Sequence, residues 1–415
     1  MERLFPKQGR PWDELAPEME AAKADDMPWH SGRAHKTAFH ASDEVLAVVK
    51  EAYSMFLTEN ALYPSGFKSL GRFEQEILRM AADILGGGPK TAGICTSGGT
   101  ESNIVAVKAA RDHARIHRPQ ATRPEILLGR NAHPSFNKAA DFMGLDVVRT
   151  PLGDDLRADP QAIAAAVNDN TIMIVGSAPA WPYGIIDPIA ELADVARDHG
   201  LWCHVDSCVG GFIAPFVRKL GYDMPDFDLS VDGVWSISAD LHKYGYAAKN
   251  ISTLLFRDSD LRDIAGFQFD DWPSGRYATY TVSGSRTGGA LAGAWAVLNH
   301  LGEDGYLDFA RVSMDALDRL KAGIEAMDGL HIWGQPHATL AAYGSTVHDI
   351  LAVAEAMERR GWVVNRLKEP SAIQLVINPI HAPLVDEYLA DLAESLDEAV
   401  RGHNRAVNRD VSYAE

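Results

Sequence analysis

Lys243 directly follows His242 in the run Asp240-Leu241-His242-Lys243-Tyr244-Gly245-Tyr246, just past the apolar stretch 234–238. A lysine held there can condense with an aldehyde, because an amine withdrawn from water is an effective carbonyl nucleophile. Asp206 closes a second apolar stretch, 201–205. A carboxylate in that place can keep a pyridine nitrogen protonated and so strengthen an aromatic ring as an electron sink. Each residue alone has a plainer reading, Lys243 as a solvated charge at a strand end and Asp206 as a helix cap. Together they are two parts that pyridoxal phosphate (PLP) chemistry needs, acting at a carbon that bears an amine.

Other segments supply the remaining parts. Residues 96–103, Thr-Ser-Gly-Gly-Thr-Glu-Ser-Asn, form a glycine-rich turn between an expected strand and an expected helix. Backbone N–H groups at such a junction can cradle a phosphate, with Gly99 and Thr100 at its centre. The segment lacks the lysine of a nucleotide P-loop and is not GxGxxG, so a simple capped turn reads equally well. His133 follows the apolar stretch 126–128 and offers a flat ring that can stack on a flat cofactor and assist proton transfer. A second glycine- and hydroxyl-rich turn, 283–289, contains Ser285 and can donate to an anion, even across a subunit boundary. His30, His35 and His40 lack the spacing of a metal-binding helix, and no HExxH or Cys/His cluster is present, so no metal is assigned.

These residues need a scaffold that brings strand ends together. Short apolar stretches at 92–96, 125–128, 146–149, 171–176, 201–205, 234–238 and 252–256 alternate with helical patterns at 101–115 and 189–199. That alternation predicts an α/β fold with a mostly parallel central sheet. Beyond Gly289 the pattern changes to helices at 290–300 and 306–327, followed by strands at 331–333, 362–366 and 372–377 and helices at 348–360 and 384–401. This predicts a smaller C-terminal α+β domain. The expected division is an N-terminal arm and helix over 1–70, packing on a partner subunit, a large domain over 71–300 and a small domain over 301–415. Trp272, Trp295 and Trp333 read as core aromatics.

The chain of 415 residues carries 57 acidic against 39 basic residues, a net charge of −18. General nucleic-acid binding requires a basic face and is not expected. Cys95, Cys203 and Cys208 have neither disulfide-framework nor zinc spacing and read as small core residues. No signal-peptide run and no bilayer-length apolar stretch is visible, so a cytoplasmic location is expected.

In the order and combined length of several blocks, the chain resembles the sphingosine-1-phosphate lyase family, within the group II decarboxylase-like PLP enzymes of fold type I. The blocks are 95–103, 132–139, 175–189, 204–216, 236–249 and 271–289. The resemblance implies Lys243 as the PLP-binding lysine with His242 beside it, Asp206 facing the pyridine nitrogen and His133 stacked over the ring. It implies Gly99 and Thr100 in the phosphate cup and Ser285 as a phosphate contact from the second subunit of a homodimer whose active sites are shared at the interface. Tyr246 and Lys249 resemble residues near the substrate's polar head, and Tyr63 stands in the same region.

The implied reaction is retro-aldol cleavage of a lipid-like, phosphorylated long-chain amino alcohol to a fatty aldehyde and phosphoethanolamine, with Tyr63, Tyr246, Lys243 and a phosphate oxygen all open as the base. An apolar entrance in transient contact with a membrane is compatible with such a substrate. The chain departs from the family at Tyr63 and Tyr183, where histidines are common, and at Ala180, where an asparagine is common; tyrosine does not titrate near neutral pH. The rival expectation is an amino-acid decarboxylase, which would use the same Lys243, Asp206 and His133 and need a carboxylate-binding arginine, with Arg286 as the candidate.

Overall fold

The computed structural model describes residues 5–36, 39–402 and 405–412. Seven strands form the central sheet: β1 (Ala92–Thr96), β2 (Glu125–Gly129), β3 (Asp146–Thr150), β4 (Thr171–Ser177), β5 (Trp202–Asp206), β6 (Val234–Ala239) and β7 (Ser252–Phe256). Their order is β1-β7-β6-β5-β4-β2-β3. Strands β6, β5, β4, β2 and β3 run parallel, and β7 is antiparallel to both of its neighbours. The expected mostly parallel α/β sheet is therefore present, with β7 as the reversed strand.

Every residue of β4, β5 and β7 is buried, because helices cover both faces of the sheet. Side-chain alternation divides the core in two. Ile126, Leu128, Met173, Val175 and Trp202 face the helix Gly99–His117, while Leu127, Ile174, Cys203 and Val205 face the side of helix Ile189–Asp198. All three cysteines are buried, as their apolar surroundings suggested. Because β4, β5 and β6 are parallel, their carboxyl ends lie along one edge, and in register Asp206 pairs with Ser177 on one side and Ser238 on the other. In open α/β sheets this edge is where ligands bind.

Past the sheet, the two helices expected at 290–300 and 306–327 are present within Gly288–Glu325, separated by a break at Gly302, whose φ of 56° suits a residue without Cβ. The additional C-terminal domain contains an antiparallel sheet in the order His331–Ile332, Leu340–Gly344, Ser371–Val376 and Asn365–Lys368. The strand Leu340–Gly344 has no counterpart in the sequence reading; its residues, Leu-Ala-Ala-Tyr-Gly, have modest intrinsic strand preference, and complete burial between two neighbours selects the conformation. Helix Trp12–Ala21 forms despite Pro17 within it, where the sequence suggested only an interrupted arm. Trp272 is a correction of another kind: it is 51% exposed, beside the hairpin Phe267–Phe269/Tyr277–Thr279, and is not a core residue. No helix among the described residues is long and apolar enough to cross a membrane.

Candidate active site

A cavity of about 340 Å³ opens at the carboxyl ends of β4, β5 and β6, and Lys243, Asp206, His133, His242, Gly99 and Thr100 all line it. Six residues separated by up to 144 positions in the chain are thus brought to one place by the order of strands in the sheet.

Lys243 sits on the turn after β6. Its Nζ lies 3.1 Å from Oδ2 of Asp240 and 5.7 Å from the centre of the Trp181 ring. Asp240 is buried, and the same Oδ2 lies 3.6 Å from Nε2 of His242. His242 accepts from the Ile251 N–H at Nδ1, 3.4 Å away, and burial lowers its pKa despite the nearby Asp240.

Asp206 is the last residue of β5. Its Oδ2 accepts from the Asn103 amide at 3.1 Å, and its Oδ1 from the Cys208 N–H at 3.1 Å. Burial by itself would raise its pKa, but His133, Cys208, His204 and Lys243 together outweigh burial and hold it below the usual carboxylate range. The pKa of His133 is lowered too, because burial lowers it more than the Asp206 charge raises it. The pair therefore rests as an ionised Asp206, held by its other donors against the effect of burial, beside an imidazole that burial keeps neutral. Nδ1 of His133 accepts from the Ser135 N–H at 3.2 Å, which orients the ring.

Helix Gly99–His117 points its N-terminus into the cavity, where free N–H groups and the helix dipole favour an anion. A Cβ on Gly99 would lie 2.6 Å from Sγ of Cys208 and 2.8 Å from Oδ2 of Asp240, so only glycine fits. A buried carboxylate at the strand end, a lysine within reach, a buried Asp240 Oδ1 without a hydrogen-bond partner and a helix N-terminus make a donor set that fits PLP.

Other expected residues lie elsewhere in the protomer. Tyr246 and Lys249 line a neighbouring, more apolar cavity of about 450 Å³, joined to the first through His242. Tyr246 is buried at a φ of 55°, its hydroxyl lacks a hydrogen-bond partner, and burial holds its pKa far above the usual tyrosine value. Nζ of Lys249 donates to the His242 carbonyl at 3.1 Å. Part of this side chain reaches solvent, but the packing around it, followed by the charge of Lys243, lowers its pKa. Ser285 lines a third cavity of about 260 Å³ together with Ser97 and Glu101, and its Oγ accepts from Asn60 at 2.9 Å. Tyr63 is 59% exposed in the turn 60–67.

Of the two departures near 180, Ala180 is fully buried, and the residue between it and Tyr183, Trp181, takes a different direction from Tyr183. Trp181 lines the Lys243 cavity, whereas Tyr183 turns away and donates to the Glu369 carbonyl at 2.6 Å. Arg286 is held by Glu74 through two contacts, at 2.5 and 3.0 Å, and donates to the carbonyls of Cys95 and Ala61. Within the protomer it does not line the Lys243 cavity and instead lines the one that holds Ser285. The ligand atoms of His30, His40 and Asp43 come within 4.8 Å of one another, a proximity created by the turn at Trp29–Ser31 and not visible in their spacing.

Sequence reasoning missed Asp240, Asn103, Cys208 and Trp181. Asp240 carried a signal, an acid three residues before Lys243 on a turn. Asn103 and Trp181 carried none, since their roles depend on which strand ends become neighbours.

A mostly parallel sheet with a lysine, a buried aspartate and a helix N-terminus at its carboxyl edge defines a PLP-dependent enzyme of fold type I. The pyridoxal-dependent decarboxylase conserved domain matches residues 3–344, and the chain belongs to that family. Within it, the chain is a PLP-dependent lyase related to the sphingosine-1-phosphate lyases. It is 41% identical over 392 residues to the sphingosine-1-phosphate lyase of Arabidopsis thaliana, covering 92% of this chain and 72% of that one. The structure of a Burkholderia pseudomallei sphingosine-1-phosphate lyase superposes with a TM-score of 0.93 at 36% identity, covering 97% of this chain and 94% of that one. A glutamate decarboxylase of Lactobacillus brevis, at 20% identity and a TM-score of 0.83 over 96% of this chain and 95% of that one, shares the fold.

Proposed function

We propose that this protein cleaves a phosphorylated long-chain amino alcohol, of the sphingosine 1-phosphate type, into a fatty aldehyde and phosphoethanolamine. What supports this reading over decarboxylation is the similarity to a sphingosine-1-phosphate lyase along 92% of the chain, together with the commitment of Arg286 to Glu74 within the protomer. Within one protomer, a substrate with a carboxylate would lack the arginine that the rival reading requires, whereas an amino alcohol needs none at that position.

Lys243 and Asp206 would hold PLP between them, with the N-terminus of helix Gly99–His117, including Gly99 and Thr100, on its phosphate and His133 against its ring. Bound there, PLP supplies an electron sink for a carbanion at the carbon bearing the amine. Asp206, kept ionised, stabilises the protonated ring nitrogen. The substrate's C3 hydroxyl must lose a proton as its C2–C3 bond breaks; the oxygen's electron pair forms the aldehyde carbonyl, and the bond pair stays on C2, which is then protonated. Lys243, once the substrate amine has taken its place, is the amine within this cavity that can accept the hydroxyl proton, and Asp240 beside it favours the resulting cation. Tyr246 faces the neighbouring cavity and Tyr63 the surface, so neither serves as base within one protomer.

We further propose a cytoplasmic homodimer in which the partner brings Ser285 and the turn containing Tyr63 to this cavity, and in which Lys249 meets the substrate's phosphate. The apolar walls of the adjoining cavity suit a substrate that is partly lipid, collected by transient membrane contact.

The deciding experiment is mass-spectrometric product analysis after adding dihydrosphingosine 1-phosphate to PLP-loaded protein. Hexadecanal and phosphoethanolamine, absent with Lys243→Ala, are the expected products. Release of carbon dioxide from amino acids, with no aldehyde from the lipid, would overturn the proposal.

A further inference from the structure

Behind Asp206 lies a chain of buried polar side chains that the lyase chemistry does not itself use. Nδ2 of Asn103 donates to Oδ2 of Asp206 at 3.1 Å and to Oγ of Ser135 at 2.9 Å. Oδ1 of Asn103 lies 3.3 Å from Nε2 of His204 and accepts from the Ser238 hydroxyl at 3.0 Å. Nδ1 of His204 lies 2.8 Å from Oγ of Ser236, which in turn accepts from the Trp202 indole N–H at 2.8 Å. Asn103, Trp202, His204, Ser236 and Ser238 are all at most 1% exposed.

The sense of this chain is fixed from the Asp206 end. An ionised carboxylate only accepts, so the amide nitrogen of Asn103 must face Asp206 and its oxygen must face His204. That oxygen only accepts, so Nε2 of His204 must carry a proton. At the far end the indole only donates, which leaves the Ser236 hydroxyl hydrogen free to point at Nδ1 of His204. The Asp206 end thus selects the neutral Nε2–H tautomer, and the Ser236 hydroxyl, able to donate as well as accept, accommodates it. Burial acts in the same direction, lowering the pKa of His204 to about 4. Cooperative polarisation along such a chain strengthens its last bond, the one to Asp206.

We propose that Asn103 and His204 are positioning residues that aim the Asp206 carboxylate at the ring nitrogen of PLP and keep it ionised, the donor sense being set by the acceptor-only carboxylate. This rests on PLP facing Asp206 and not on which substrate is cleaved.

Two measurements on the full chain test it. In protein with 15N-labelled histidine, His204 should show a protonated Nε2 and a bare Nδ1 from about pH 5 to about pH 8, the range in which ordinary histidines titrate. Equilibrium binding to apoprotein should show Asn103→Leu weakening PLP on the order of tenfold or more, the value of a hydrogen bond to a charged group. The same variant should bind the 1-deaza analogue of PLP, which has no ring nitrogen, as well as the wild type does. If Asn103→Leu does not fold, Asn103→Asp keeps the shape, replaces the donor by an acceptor and should show the same split. An Nδ1–H or doubly protonated His204, or equal losses with PLP and the deaza analogue, would overturn the proposal.

Discussion

Nζ of Lys243 sits 3.1 Å from Oδ2 of Asp240, a carboxylate that is itself 2% exposed and three residues away on the same turn. The lysine that must reach a carbonyl is thereby held in place by a buried counter-charge. Removing one partner from a buried ion pair leaves the other without compensation, at a cost of about 3–5 kcal/mol. Asp240→Ala and Lys243→Ala should each lower the urea stability of the apoprotein, with the double variant less destabilised than the sum of the singles. Strict additivity would mean that the two groups do not interact in solution.

Acid should destabilise the fold through His204. Its pKa falls from an ordinary 6.5 to about 4 on burial, so the fold favours the neutral form. The stability this contributes is complete above about pH 6.5 and is lost as pH falls towards about 4, a change on the order of 3 kcal/mol. His337, also lowered to about 4, adds in the same sense. Urea midpoints measured across this interval should fall steeply for the wild type and less steeply for His204→Gln. Parallel curves for the two proteins would remove His204 from the account.

At the phosphate cradle, Gly99→Ala should abolish tight PLP binding. The added methyl meets Cys208 at 2.6 Å and Asp240 at 2.8 Å, and neither can retreat through the packed wall. Overpacking of this kind costs about 1–3 kcal/mol in stability. Cofactor titration followed by absorbance is the direct check; unimpaired binding would show that the cradle is looser than its geometry indicates.

Arg286→Ala should behave as a structural defect. The guanidinium joins the turn at Ala61, strand β1 at Cys95 and Glu74 on the helix Lys68–Ile84. Losing these charged hydrogen bonds should cost on the order of 2–3 kcal/mol without changing the preference between an amino alcohol phosphate and an amino acid. A switch in that preference, measured with both substrates at fixed cofactor saturation, would return Arg286 to the substrate.

The sequence by itself determined the alternating strands and helices, the carboxyl-end placement of Asp206 and Lys243, and the glycine turn ahead of helix Gly99–His117. These are local properties: apolar runs of strand length, a residue type at the end of each run, and a turn whose backbone must approach a ligand. It also supported, through ordered blocks of resemblance, the PLP-dependent lyase family. The tertiary structure decided what depends on long-range register. Only the parallel pairing of β5 with β6, and the packing of helix Gly99–His117 on the sheet, set His204, Ser238 and Asn103 behind Asp206. Only the path of the chain after Lys243 sends Tyr246 and Lys249 into a second cavity, turns Tyr183 towards Glu369, and locks Arg286 onto Glu74. A side chain's type is written in the sequence, but the direction in which it points is set by neighbours that the chain meets only after folding, and in a buried site that direction decides which hydrogen bonds, charges and substrates it can serve.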